Sequence, residues 1–406
     1  MSAILRDWPL LKEPHVAALL AALDGELRAT RIVGGAVRDA LLGRNVADAD
    51  LATIFVPAEV IARTEAAGMK TVPTGIEHGT VTVIVDGKPF EVTTLRRDVE
   101  TDGRHAVVHF TSDWKEDAAR RDFSMNALYC DVAGEVLDPL GGVADLKAGR
   151  VRFVGKAEDR IREDYLRILR FFRFFAWYGE GRPDPDALKA CAKLKAGLAT
   201  LSAERVWAEL KRLLKAPDPA RALLWMRTTE VLQKVLPESW GIDAIHRIVE
   251  AERKEGWAPD ALFRLEAILP PHRARIDALA ERLRLSRAEA ARLHAWADAP
   301  EADPAMAEMQ LRRLLYRSGF SGVRDRLRHV IARELDKQNL EAADRLRSLA
   351  AFAEKWTPPV FPVSGNDLVA AGMTPGPDVG KRLRELEARW VETGFSLSRE
   401  ALLLGS

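Results

Sequence analysis

Within residues 31–53, RIVGGAVRDALLGRNVADADLAT, a Gly34-Gly35 pair separates the apolar Ile32-Val33 from a helix-like run carrying Arg38 and Asp39. Asp48 and Asp50 follow, directly before Leu51-Ala52-Thr53. On a strand, residues i and i+2 face the same side, so Asp48 and Asp50 present two carboxylates together. Neighbouring carboxylates repel unless a cation lies between them, and Mg²⁺ shared with phosphate oxygens is the usual solution. Glycines between a strand and a helix let backbone N–H groups approach an anion, and the helix start adds positive partial charge there. Arg38, about one turn into that helix, offers a forked donor to the same anion. The stretch reads as a phosphate cradle beside a metal pair, suited to phosphoryl or nucleotidyl transfer.

Further along, residues 90–95 (FEVTTL) form a strand expected to flank the aspartates, and Glu91 on it is a candidate third carboxylate. Arg120 and Arg121 open a segment in which Asp122 and Asn126 stand four apart on an expected helix, placed to brace the arginines as nucleotide contacts. In residues 163–174, Asp164, Arg167 and Arg170 recur every three residues and share one side of a helix. A carboxylate only accepts and a guanidinium only donates, so the pair complements the base-pairing edges of cytosine and adenine. Uracil and guanine would turn an acceptor toward the carboxylate. Residues 99–116 show no steady period and read as a loop beside the site, with Arg104 and His105 within reach of a nucleotide.

Taken in order, these segments resemble a known family. GGAVRDALLG followed by DADLAT resembles the nucleotidyltransferase signature of bacterial tRNA CCA-adding enzymes and their close relatives, the bacterial poly(A) polymerases. RRDFSMNAL resembles the second motif, RRDFTxNAL, with Ser124 keeping the hydroxyl of the usual threonine, and the run from Glu163 matches the EDxxR core of the base-reading helix. Residues 220–236 and 361–390 resemble the body and end segments. The resemblance implies an α+β protein: a small nucleotidyltransferase head with a mixed β-sheet, then an all-α neck, body and tail. It implies template-independent addition of CCA, from CTP and ATP, to the 3′ end of tRNA, whose 3′ end and acceptor arm are bound. Mg²⁺ on Asp48 and Asp50 would be the cofactor, with Glu91 as the third catalytic carboxylate. Gly34, Gly35, Arg38 and Arg121 would hold the nucleotide phosphates, and Asp164, Arg167, Arg170 and Arg173 the nucleotide base. The alternatives are a poly(A) polymerase of the same superfamily, or an enzyme adding only CC or only A.

The elements that must position these groups can be read from composition and period. The chain has 406 residues, 47% apolar and 30% charged, enough for several domains. Residues 1–150 carry 17 Lys and Arg against 23 Asp and Glu, a net of −6, while the remainder carries 44 against 37, a net of +7. A carboxylate-rich part joined to a basic remainder suits a polyanionic partner. No signal peptide and no apolar run long enough for a membrane span is expected, so the reading is cytoplasmic and membrane-free. Cys130 and Cys191 read as buried thiols of a reducing compartment, and the eight scattered histidines offer no His-Asp phosphohydrolase pattern. Two short helices are expected in 1–30, alternating strands and helices in 31–99, a hairpin turn at Asp86-Gly87, and a closing strand at 151–154. From Ala157 onward the period is helical. The expected divisions are 1–154 (catalytic head), 155–216 (neck), 217–300 (body) and 301–406 (tail, binding tRNA).

Overall fold

The computed structural model describes residues 3–24, 28–46, 48–102 and 105–404; for 24, 98–102 and 105–108 it describes the backbone alone. The chain divides into two compact units, Met1–Pro237 and Glu238–Ser406. The boundaries expected at 154 and 216 therefore both fall inside the first unit.

The first unit opens with α1 (Pro14–Asp24), β1 (Thr30–Val33), α2 (Gly35–Leu41), β2 (Leu51–Thr53) and α3 (Pro57–Ala66). Strands β3 (Lys70–Val72), β4 (Thr80–Val85) and β5 (Lys88–Thr94) follow. β4 alternates in burial, with Val81, Val83 and Val85 inward, as its TVTVIV pattern dictates. Asp86 and Gly87, both at positive φ (48° and 84°), make the tight turn into β5. A second hairpin, β6 (Arg96–Asp102) with β7 (His105–Phe110), precedes α4 (Trp114–Ala119). The loop expected over 99–116 is thus a strand pair and a helix. Its backbone pairs with itself, independently of the main sheet. Arg104 lies outside the described residues, and His105 is described only as backbone on β7.

β8 (Tyr129–Cys130) and β9 (Val136–Leu137) complete a seven-stranded sheet in the order β3-β4-β5-β2-β1-β8-β9. β2 and β5 run parallel and the other described neighbours antiparallel, giving the expected mixed head sheet. Residues 151–154 form no strand; a single bridge joins Phe123 to Phe153.

Helices α5 (Gly142–Lys147), α6 (Ala157–Glu163), α7 (Leu166–Tyr178), α8 (Pro185–Leu194), α9 (Ala203–Leu214), α10 (Ala220–Thr228) and α11 (Val231–Val235) complete this unit. Burial of Phe171, Phe172 and Phe174 seats α7 against the head. Phe123 lies 4.9 Å from Phe153 and 5.1 Å from Phe174 between ring centroids, and Phe153 stacks on Phe171 at 5.7 Å.

The second unit is helical among its described residues. It contains α12 (Asp243–Glu255), α13 (Ala261–Glu266), α14 (Arg273–Leu283), α15 (Arg287–Asp298), α16 (Glu308–Asp336, broken at Gly319) and α17 (Leu340–Lys355), followed by three shorter or peripheral helices to Leu403. No helix among the described residues is long and apolar enough to cross a membrane.

Candidate active site

Gly34 forms the corner between β1 and α2. Its φ of 70° with ψ of −121° is a conformation reserved for glycine, and its N–H donates to the Leu128 carbonyl at 2.9 Å. A side chain on Gly34 would come within 3.6 Å of Arg121 Nη1, so that guanidinium lies over the glycine corner.

The strand β2 begins at Leu51, so Asp48 and Asp50 stand just before it rather than on it. The ladder nonetheless reaches back to them: Val33 N–H donates to the Asp50 carbonyl at 2.9 Å. Ala49 is buried while Asp48 and Asp50 are exposed, as alternation along an extended chain requires. Leu51 pairs with Val92 on the parallel neighbour β5, which brings Glu91 alongside Asp50. Surrounding protein pushes the Asp50 carboxyl above its ordinary range, and the charges of Glu91 and Asp48 push the same way, opposed by Arg121. None of the three carboxylates is hydrogen-bonded or ion-paired among the described residues, nor do they close into a ready three-ligand metal group there. Exposed, mutually repelling carboxylate oxygens facing an arginine are a donor set that fits a hard divalent cation with phosphate.

Arg121 is held by Asp117, not by the Asp122–Asn126 brace expected from the sequence. Asp117, 1% exposed, accepts from Arg121 Nε and Nη2 (3.2 and 3.0 Å), from Arg120 Nε (2.8 Å) and from the Tyr129 hydroxyl (2.7 Å). Burial opposes its charge, but Arg121 and Arg120 together with these hydrogen bonds hold its carboxyl below the usual value. Sequence reasoning missed Asp117, although its spacing of three and four residues from the two arginines that follow α4 was a readable signal.

Asp122 and Asn126 do a different job, around a short 3₁₀ turn (Ser124–Asn126) rather than a helix. Asp122 Oδ1 accepts from Phe123 N–H (2.9 Å) and Asn126 Nδ2 (3.0 Å), and Oδ2 accepts from Arg170 Nε and Nη2 (2.8 and 2.6 Å). Asn126 Oδ1 in turn accepts from Arg38 Nη1 at 2.6 Å. Arg38 thereby joins the second head motif. Arg38 is 7% exposed, and its other donors go to Asp39 and the Tyr178 hydroxyl. The guanidinium touches both the glycine corner, where a Cβ on Gly35 would come 3.4 Å from Nη2, and the neck, where the Tyr178 ring lies 4.2 Å from it.

The segment expected to read the base is also rearranged. Asp164 is not on a helix: with φ −156° and ψ 108° it breaks the chain between α6 and α7. Its Oδ1 caps α7 by accepting from Leu166 N–H (3.0 Å), and its Oδ2 accepts from Arg205 of α9 (2.6 Å). It therefore does not share a helix side with Arg167 and Arg170. The two remain adjacent, because Arg167 N–H donates to the Asp164 carbonyl at 3.0 Å. Arg167 binds Glu163 and the Arg160 carbonyl (2.9 Å), while Arg173 binds Glu209 (2.5 Å). Arg205 and Glu209 are long-range partners with no local sequence signal.

The geometry thus joins a carboxylate group on two central strands of the sheet, an arginine over a glycine corner, and a helix end bearing an acceptor and a donor. Residues 30–152 match the family described as Poly A polymerase head domain, and residues 182–241 the family described as probable RNA and SrmB-binding site of polymerase A. The human mitochondrial CCA tRNA nucleotidyltransferase 1 is 33% identical over 386 residues, covering 92% of this chain and 85% of that protein. This chain belongs to the CCA-adding tRNA nucleotidyltransferase family. A Streptococcus pneumoniae CCA-adding enzyme is 32% identical, with 91% of each chain covered. The crystal structure of the Bacillus stearothermophilus CCA-adding enzyme in complex with CTP superposes with a TM-score of 0.71 at 30% identity, covering 94% of this chain and 93% of that one. Family membership accounts for the mixed-sheet head with a helical remainder and for the order in which the motifs occur.

Proposed function

We propose that this protein adds CCA to the 3′ end of tRNA from CTP and ATP, without a nucleic-acid template and with release of pyrophosphate. The observation that carries the reading is the meeting of Asp50 and Glu91 across β2 and β5, with Arg121 set over Gly34 beside them.

In this reading Asp48 and Asp50, with Glu91 alongside, would hold Mg²⁺, which when bound neutralises phosphate charge and lowers the pKa of the attacking 3′-hydroxyl. The corner at Gly34 and Gly35 lets backbone approach the triphosphate closely. Arg121, fixed by Asp117 and Tyr129, meets the charge that develops as the α-phosphate is attacked in line. Asp164 accepts from the cytosine or adenine amino group, and Arg167 donates to the neighbouring ring nitrogen. Both begin with protein partners, Arg205 and Glu163, that hold them oriented before a base arrives. Arg170 and Arg173 supply positive charge around the base and support α7. A basic helical tail would follow the tRNA backbone. The two cysteines, free and buried, suit a cytoplasmic setting.

Equilibrium binding of the four nucleoside triphosphates tests this reading. CTP and ATP should bind at least about tenfold more tightly than UTP and GTP, with the preference lost in Asp164→Ala and Arg167→Ala. Equal binding of all four would contradict it. Preference for ATP alone would favour a poly(A) polymerase or an A-adding enzyme.

A further inference from the structure

α7 packs on the head through Phe171 and Phe174, and hydrogen bonds between side chains tie it there at two stations on its length. The first is Arg170, bound to Asp122. The second is Tyr178, eight residues on and therefore about 12 Å along the helix. Its hydroxyl accepts from Arg38 Nη2 at 2.7 Å and is also hydrogen-bonded to Asp39. Its ring lies between two guanidiniums of the head, 4.2 Å from Arg38 and 4.7 Å from Arg44. Arg44 Nη2 also donates to the Trp177 carbonyl at 3.1 Å.

The two stations are one network. Arg38 Nη1 reaches Asn126, and Asn126 reaches the same Asp122 that holds Arg170. Just past Tyr178, a close backbone approach reinforces the joint. Glu180 N–H donates to the Gly149 carbonyl at 2.8 Å, and a side chain on Gly149 would press to 2.6 Å from Glu180 Cβ. Gly179 is equally confined, since a Cβ there would fall 2.2 Å from Phe175 Cδ2. The second station, a dozen ångström from the first, holds the far end of the helix more tightly than the aromatic packing and the Arg170 pair do alone.

Asp164 caps the opposite end of this helix, and Arg167 sits in its first turn. A small swing about the Arg170 station would displace both relative to Arg121 and the glycine corner. Selection between bases by one acceptor and one donor depends on sub-ångström placement. We propose that Tyr178 is a positioning residue for nucleotide selection: through Arg38 and Asp39 it fixes the far end of α7 to the head and so sets where the base-reading end meets the phosphate site. The proposal rests on the CCA-adding reading. It also gives Arg38 a further role, as a link between head and neck.

The test compares wild type, Tyr178→Phe and Tyr178→Ala in single-nucleotide addition to a tRNA lacking CCA, with CTP and UTP each as substrate. Tyr178→Phe keeps the ring between the arginines and removes only the hydroxyl. The expected result for both folded variants is a KM for CTP raised by about tenfold in Ala and less in Phe, with kcat within about twofold of wild type. The proportion of UTP misincorporated relative to CTP should rise in the same order. A role confined to stability would lower melting temperature and leave the UTP-to-CTP ratio unchanged below it, and that outcome overturns the proposal. A fall in kcat with KM and selectivity intact overturns it as well. If Tyr178→Ala does not fold, Tyr178→Phe decides alone. If the wild type adds no nucleotide, the CCA-adding reading fails and this proposal falls with it; a wild type that adds CTP selectively beside variants that do so equally well refutes the proposal only.

Discussion

Arg170 donates from both Nε and Nη2 to a single oxygen of Asp122, at 2.8 and 2.6 Å, and so joins the neck helix to the second head motif. The pair is well screened from water: Asp122 is 9% exposed, and its remaining oxygen is filled by Asn126 and the Phe123 N–H. Burial disfavours the Asp122 charge, but Arg170 and these hydrogen bonds outweigh it, so the carboxyl titrates below its ordinary range.

Removing that charge should be costly at neutral pH. Asp122→Asn is expected to destabilise the first unit by roughly 2–4 kcal/mol, because Arg170 loses its principal counter-charge. The sign of the pH dependence follows from the depressed pKa. The stabilisation is fully present above the unfolded carboxyl's value and is lost as pH falls through the folded one. The gap in melting temperature between wild type and variant should therefore be wide at pH 7 and start to close only below about pH 4. A gap independent of pH would contradict the assignment.

A second buried cluster predicts the opposite trend. Glu266 in α13 is 2% exposed, and His329 Nε2 of α16 lies 3.1 Å from it. Burial, then the charge of Asp325, push the Glu266 carboxyl well above its usual range, whereas burial pushes His329 down to about 3. A carboxyl with a raised folded pKa favours folding at low pH, and that contribution is lost as pH rises through the folded value. Glu266→Gln should thus raise the melting temperature of the second unit more at pH 8 than at pH 5. The neutral histidine gives stability above its unfolded pKa that is lost on acidification, so His329→Phe should flatten the acid limb of the same profile. Scanning calorimetry across pH reads both, and a stabilisation by Glu266→Gln that is larger in acid would refute the account.

Gly34→Ala isolates the glycine corner. An added Cβ meets Arg121 and Asn126 only at ordinary contact distance, 3.6 and 3.7 Å, so the penalty is backbone strain at φ 70°. We expect a loss of about 1–3 kcal/mol in stability, and a fall in kcat/KM for nucleotide addition of at least about tenfold. Unchanged kinetics in the folded variant would show that the corner is not the phosphate site.

Asp50→Asn should separate stability from chemistry. It removes a carboxylate crowded by Glu91 and Asp48, so melting temperature should stay level or rise, while nucleotide addition is abolished. A variant that melts earlier, or that still adds nucleotides, would contradict the metal assignment.

Local chemistry made the glycine corner, the Asp48-x-Asp50 pair and the Glu91 strand legible in the sequence, since each needs only neighbours and a strand register. The helix break at Asp164 was hidden because large apolar and aromatic residues continue in helical spacing across it, from Ile161 through Tyr165 to Ile168. The hairpin of β6 and β7 was masked by its charged first strand, although Val107-Val108 carried β propensity. The link that Arg38 makes between head and neck was hidden for a long-range reason: its partners Asn126 and Tyr178 come from 88 and 140 residues away, and only the fold brings them together.

The most direct test of the account is the sequence of the product formed on a tRNA lacking its 3′ CCA, incubated with Mg²⁺, CTP and ATP. Two cytidines with CTP alone, and CCA followed by arrest with both nucleotides, are the predicted results. A long adenosine tail from ATP alone, or no extension with either nucleotide, would contradict it.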